Sequence, residues 1–242
     1  MALKVSHLTG GYSQIPVLHD VSFNVKDGEL VGLIGLNGAG KSTTINHIIG
    51  LLTPFSGRIS INGISLRNDA QRYKKQIAYV PEIPVLYPEL TLKEHLAMTI
   101  MAYRLDPEKA WSRARQLLVH FRLANKLNWF PVDFSKGMKQ KVMITCAFLT
   151  NAKLFIIDEP FLGLDPLAVH DLLALINQQR KRGSSILMTT HVLGLAQKAC
   201  DRFVLIHQGR IRGEGTLTQL QAKFPNSGNS LTDLYLSLAK VN

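Results

Sequence analysis

Cysteine is scarce in this chain: only two, Cys146 and Cys200, stand among 242 residues. They sit in apolar or helical context without metal-ligand spacing, which excludes a disulfide framework and a cysteine-type zinc site and leaves buried, inert thiols as the reading. Long apolar runs are missing too. The longest, such as Val142 to Leu149, fall far short of the ~20 residues that cross a bilayer as a helix. No apolar signal segment follows Met1, so neither a membrane span nor secretion is expected. Acidic residues are outnumbered, 17 against 28 Lys and Arg, for a formal charge of +11. A nucleic-acid footprint would concentrate that surplus on one face or stripe, whereas here each third of the chain shares it. No nucleic-acid partner is expected, and the surplus reads as solvated surface near anionic partners or lipids. Internal repeats, low-complexity segments and long heptad stretches are also absent. What remains is a 46% hydrophobic chain that can bury a large core as one domain over residues 1–242.

Short strand patterns open the chain at Leu3 to His7, Val21 to Val25 and Leu30 to Ile34. Alternation of Val21, Phe23 and Val25 suits a half-buried antiparallel strand, while the unbroken apolar run Leu30 to Ile34 suits a buried parallel one. From Leu92 to about Leu149 the period turns helical, with Thr91 and Glu94 in capping-box spacing at its start. Strand patterns resume at Leu154 to Ile157, Ser185 to Thr189 and Phe203 to His207, and a helical run from about Ala168 to Arg180 lies among them. The expectation is an α/β fold with a parallel core sheet from residues 1–84 and 151–242, an antiparallel β region near the N-terminus, and a helical insertion over about 85–150.

Gly35-Leu36-Asn37-Gly38-Ala39-Gly40-Lys41-Ser42 has the spacing of a phosphate-binding loop and stands between a buried strand and an apolar helix, as that motif requires. Glycines let backbone N–H groups close around phosphates, and the helix start adds its positive dipole end. Lys41 would reach the β- and γ-phosphates of ATP, the Ser42 hydroxyl would ligate Mg²⁺, and Thr43 joins the expected nucleotide contacts of a P-loop NTPase. The run Leu154-Phe155-Ile156-Ile157-Asp158-Glu159-Pro160 ends an apolar strand on adjacent acids whose side chains diverge. Asp158 can hold the Mg²⁺ shell, directly or through water, and Glu159 can accept a proton from an attacking water. Acids at a strand end often merely begin a turn, but beside a P-loop the chemical reading is favoured.

Phe134-Ser135-Lys136-Gly137-Met138 then opens a further apolar helix. The order of P-loop, serine-glycine helix start, Asp-Glu strand end, Leu164-Asp165 and His191 resembles the ABC transporter ATPases across most of the chain. That resemblance implies one ABC cassette that hydrolyses ATP with Mg²⁺ and energises a polytopic membrane subunit from the cytoplasmic face of the cell membrane, as a peripheral protein. It implies a head-to-tail dimer with a second cassette of the same kind, in which Phe134 to Met138 faces the other subunit's ATP. Ser135 and the backbone N–H of Gly137 suit a γ-phosphate there, although a plain helix N-cap also explains Ser135. Tyr12 takes the place of the family's adenine-stacking aromatic, Asp165 that of its interface loop, and His191 that of a catalytic γ-phosphate contact. A Tyr packing a turn and an Asp capping a helix before Pro166 are the plainer alternatives.

Departures from the family accompany these matches. Glu82 follows Tyr79-Val80-Pro81 where the family has Gln, and its oxygen is the expected Mg²⁺ ligand at that place. Lys136 and Met138 replace the usual Gly and Gln. More narrowly, Phe134 to Met143, Glu159 to Pro166 and Leu8-Thr9-Gly10-Gly11-Tyr12 resemble the ATP-binding subunit of bacterial Ecs-type transporters, a family linked to peptide export and protein secretion. One rival is a soluble ABC ATPase acting on ribosomes or DNA; against it stand the single cassette, the missing heptads and the dispersed charge. A non-hydrolysing ATP-binding regulatory module is the other, and against it Lys41, Ser42, Asp158, Glu159 and His191 are all in place.

Overall fold

A computed structural model describes residues 2–225 and 228–239. In chain order its elements are β1 (Leu3–Tyr12), β2 (Ile15–Val25), β3 (Leu30–Ile34), α1 (Lys41–Ile48), β4 (Ser56–Ile61), β5 (Ile64–Ser65), α2 (Ala70–Lys75) and β6 (Ile77–Val80). There follow α3 (Leu92–Tyr103), α4 (Pro107–His120), α5 (Lys136–Leu149), β7 (Leu154–Asp158), α6 (Pro166–Lys181) and β8 (Ser185–Thr189). The last are α7 (Leu193–Ala199), β9 (Arg202–His207), β10 (Arg210–Gly215), α8 (Leu217–Lys223) and α9 (Leu231–Ala239).

Two sheets form, in the orders β2-β1-β4-β5 and β10-β9-β3-β8-β7-β6. In the second, β6, β7, β8, β3 and β9 run parallel, and β10 closes one edge antiparallel to β9. Every residue of β3, β7 and β8 is buried, as their unbroken apolar patterns require of strands covered on both faces. The first sheet is the expected antiparallel region, in which β1 pairs with both β2 and β4. Here β1 and β2 run well past the alternation that marks them. Register shifts between Val5 and Leu8 and between Leu8 and Gly10, with His7 and Asp20 at φ 51° and 56°, interrupt period two while pairing continues.

The expected helical stretch is three helices, α3 to α5, joined by short irregular and 3₁₀ segments. Its start is the capping box read from the sequence: Thr91 N donates to Glu94 Oε2 at 2.7 Å, and Glu94 N donates to Thr91 Oγ1 at 3.3 Å. One apolar cluster, including Leu96, Leu118, Phe148, Phe155 and Ile157, joins these helices to one face of the parallel sheet. The Phe148 and Phe155 rings lie 4.8 Å apart at its centre. A second cluster, including Leu18, Val31, Ile45, Ile156 and Leu187, joins the other face to the antiparallel sheet and α1. Burial pushes the Cys146 thiol up to about 11 and the Cys200 thiol up to about 12, so both stay protonated near neutral pH, as the sequence suggests. Among the described residues no helix is long and apolar enough to cross a membrane.

Candidate active site

The buried strand β3 delivers the chain into the glycine-rich loop, and α1 starts directly after it. Gly40 is the hinge between them: its φ of +108° is open to glycine alone, and a Cβ there would meet Leu18 Cδ2 at 2.7 Å. Asn37, Gly38, Gly40, Lys41, Ser42 and Thr43 line a cavity of about 380 Å³. Gly35, Leu36 and Ala39 lie just behind that wall, where Lys41 Nζ donates to Gly35 O at 2.8 Å and to Leu36 O at 3.2 Å and Ala39 N donates to Leu36 O at 3.0 Å. Burial lowers the Lys41 pKa, against the opposing pull of Glu159, Asp158 and Glu82.

The opposite wall comes from strand ends. Asp158 closes β7 and pairs in register with Thr189 at the end of β8, whose hydroxyl donates to Asp158 Oδ1. The next residue, Glu159, takes a left-handed φ of 46°, breaking the extended backbone of β7. Its backbone N–H bonds Thr189 O at 3.2 Å and Thr189 Oγ1 at 3.1 Å, so the last residue of β8 holds the turn in place. Glu159 Oε2 accepts from His191 N at 3.0 Å and lies 2.9 Å from His191 Nδ1. Burial raises the Asp158 pKa, the charges of Glu82 and Glu159 raise it further, and Thr189 and Lys41 oppose them. Glu82, on the loop after β6, faces the same cavity, as do Glu159 and His191.

The oxygen donors Ser42, Asp158 and Glu82 therefore converge on one space beside the phosphate loop. Among the described residues no group of three or more His, Cys, Asp or Glu builds a metal cage. That donor set fits Mg²⁺, which is commonly held by one or two carboxylates together with substrate phosphates.

The remaining residues singled out in the sequence lie outside this cavity's lining. Tyr12 ends β1, half exposed beside α1, and its hydroxyl accepts from Asn46 Nδ2 at 3.4 Å. Ser135 caps α5, accepting from Met138 N at 3.3 Å, and Asp165 caps α6, accepting from Ala168 N at 2.8 Å. Both side chains therefore serve as helix N-caps within this chain. Asp165 also accepts from Lys141 Nζ at 2.8 Å, and that bond, helped by the Ala168 N–H, holds its carboxyl below the usual range. Gly137 lies against the turn after β7: a Cβ there would meet Gly163 O at 2.4 Å, so the glycine lets α5 approach that turn. The start of α5, with Ser135 and Gly137, is thus tied to the turn before α6 by the Lys141–Asp165 bond and the close approach of Gly137 to Gly163.

Sequence reasoning missed Thr189 and Val17, which complete the first site. Thr189 was within reach, since it closes an apolar strand just before His191, but only the β7–β8 register sets it opposite Asp158. Val17 carries no signal in the sequence.

A family model for ABC transporters matches residues 18–162. The chain is 54% identical over 238 residues to the ABC-type transporter ATP-binding protein EcsA of Bacillus subtilis, covering 98% of this chain and 96% of that protein. A solved ATP-binding subunit of an ABC transporter matches with a TM-score of 0.96 at 54% identity, covering 99% of this chain and 100% of the other. The ATP-binding cassette MJ0796, solved as a dimer in a post-hydrolysis state bound to ADP and Pi, matches with a TM-score of 0.79 at 28% identity over 89% of this chain and 98% of its own. Phosphate loop, acidic strand end and relatives agree, and this chain belongs to the ABC transporter family as an ATP-binding, ATP-hydrolysing cassette.

Proposed function

We propose that the chain is the ATPase subunit of an Ecs-type exporter serving peptide export or protein secretion, acting on a polytopic membrane subunit at the cytoplasmic face of the membrane. The observation that carries the hydrolytic part is a single one: the phosphate loop and the Glu159–His191 pair face one cavity. Backbone N–H groups from the loop through Thr43 bind the phosphates of ATP, and Lys41 exchanges the carbonyls of Gly35 and Leu36 for phosphate oxygens. Ser42, Asp158 and Glu82 hold Mg²⁺, which when bound neutralises phosphate charge. Glu159 takes a proton from the attacking water, while His191 fixes the Glu159 carboxylate and contacts the γ-phosphate. Tyr12, at the outer end of α1, stacks on adenine.

Residues 1–242 work as one cassette with a helical part over about 85–150, and two cassettes pair head to tail. Ser135, Gly137 and Asp165 then complete the partner's ATP site, a reading supported by their lying outside the lining of the phosphate-loop cavity of their own chain. Ile83, Val85 and Tyr87, on the loop that carries Glu82, expose large apolar side chains and suit the membrane subunit.

Mixing tests the pairing. A Ser135→Arg chain and a Lys41→Ala chain, each inactive alone, keep one intact composite site when combined, so ATPase activity should recover in part. Dimers that form but never regain activity would remove the trans arrangement. Purification from mild detergent should bring down a polytopic membrane protein; a chain that instead comes with ribosomes or DNA would overturn the transport reading.

Glu82 gives a separate expectation. Both Glu and Gln offer a side-chain oxygen to Mg²⁺ at about 2.0–2.1 Å, so Glu82→Gln should keep most of the turnover while Glu82→Ala raises the Mg²⁺ requirement. A magnesium titration of ATPase activity reads both. Unchanged Mg²⁺ dependence in Glu82→Ala would leave Glu82 an exposed loop acid.

A further inference from the structure

A second cavity, of about 760 Å³, lies between α4 and α6 and shares no residue with the phosphate-loop cavity. Lys109, Arg113, Gln116 and His120 recur three or four residues apart, so one face of α4 lines it. Arg182 follows the end of α6 on the opposite wall, and among the described residues no acidic side chain lines the cavity. Its positive groups are poorly compensated. Arg113 spends Nη1 on neutral acceptors at the end of α5: Leu149 O at 2.8 Å, Thr150 O at 3.2 Å and Asn151 Oδ1 at 2.6 Å. Burial lowers the Arg113 pKa, and the charge of Arg182 lowers it further, as unneutralised guanidinium groups facing one cleft must. His120 Nε2 sits 3.2 Å from Asp171 O and 3.9 Å from Asp171 Oδ1, but Arg122 already holds that carboxylate at 3.0 Å. The side chains of Lys109 and Arg182 make no ion pair within the described residues.

Gln179 adds an independent sign. It lines the same cavity at 9% exposure, and its side-chain amide has no hydrogen-bond partner within the described residues. Most of that side chain is covered, while its amide opens into the cleft beside the converging cations, where a polar ligand can meet it. Leu117 and Phe148 form an apolar floor beneath these groups.

We propose that this cleft binds a small phosphorylated molecule carrying two or more negative charges, its phosphate between Arg113 and Arg182 and its remaining polar part on Gln179. Guanidinium forks match phosphate oxygens, and a multivalent anion relieves the mutual repulsion of the walls. Because α4 belongs to the helical stretch and α6 follows the catalytic strand, a bound anion would also tie those parts together.

Equilibrium dialysis with labelled inorganic pyrophosphate tests this, using the full chain carrying Lys41→Ala so that the phosphate loop contributes little. Adding Lys109→Glu and Arg182→Glu should weaken pyrophosphate binding by about tenfold or more, the scale expected when phosphate loses charged partners. Both side chains are exposed, so the same pair in the otherwise unaltered chain should leave ATP turnover and melting temperature unchanged. Should the double change unfold the chain, Arg182→Ala alone should still weaken binding in the same direction. Absence of pyrophosphate binding in the Lys41→Ala chain, or binding indifferent to these changes, overturns the proposal. Sedimentation with phosphatidylglycerol vesicles decides the other source of phosphate: if the charge reversal abolishes vesicle binding but spares pyrophosphate, the face is a membrane contact and the small-molecule site is wrong.

Discussion

Glu159→Gln should slow ATP turnover by about 10²–10⁴-fold, the usual contribution of a general base, while ATP still binds. The expectation follows from how Glu159 is held. Its oxygen receives the His191 backbone N–H at 3.0 Å and its own N–H is anchored on Thr189, so the side chain has one orientation toward the cavity. Gln preserves the shape and keeps an oxygen for His191 N, but an amide takes no proton from water. The turn itself rests on backbone bonds and should survive, leaving the melting temperature close to that of the unaltered chain. With hydrolysis blocked and binding intact, an ATP-held dimer should accumulate and elute early in gel filtration. Single-turnover measurements isolate the chemical step from product release. Near-normal turnover would remove Glu159 from the mechanism, and lost nucleotide binding would mean that the substitution damaged the cavity rather than the chemistry.

Truncating Phe148 to Ala should cost about 3–5 kcal/mol of stability, the range for large aromatic deletions in cores. The ring is fully buried and lies 4.8 Å from that of Phe155, so its removal opens a void where α5 meets β7. For a chain of this length each kcal/mol shifts Tm by roughly 2–4 °C, which puts the fall on the order of 10 °C. Differential scanning calorimetry reads it directly. Phe130, 41% exposed on the connection before α5, provides the contrast, and its change to Ala should stay within about ±0.5 kcal/mol of the unaltered chain. Function should follow the loss, because α5 carries Ser135 at its start and Lys141 on the bond to Asp165. A Phe148→Ala chain that melts like its parent would show that α5 does not rest on the sheet through this ring.

Several parts of this protein are local enough for the sequence to determine them. The strand Leu30–Ile34, the glycine loop and the helix starting at Lys41 follow one another directly, and hydrophobicity, glycine spacing and a helix pattern each fix one segment. The box at Thr91 and Glu94 is equally local, since donors and acceptors lie within one helical turn. Identity by motif order belongs here too, because it needs residue types in sequence and no contacts.

Tertiary structure alone decided what those segments do together. Glu82, Asp158 and His191 stand at or just beyond the ends of β6, β7 and β8, which are far apart in the chain, and their own patterns say only that each strand is buried. It is the parallel order β3-β8-β7-β6 that brings all their C-terminal ends to one edge of the sheet, over the phosphate loop. The register of β7 on β8 sets Thr189 against Asp158, a pairing with no trace in either segment. Bulges hid the true length of β1 and β2, since a register shift breaks period two without breaking the ladder. The cationic cleft needed the fold as well, because α4 shows its basic face in the sequence but only packing sets Arg182 and Gln179 across from it. The division has one physical cause: propensity and capping act within a few residues along the chain, while strand order, register and cavity walls depend on which buried surfaces meet, and that is settled by packing the whole core at once.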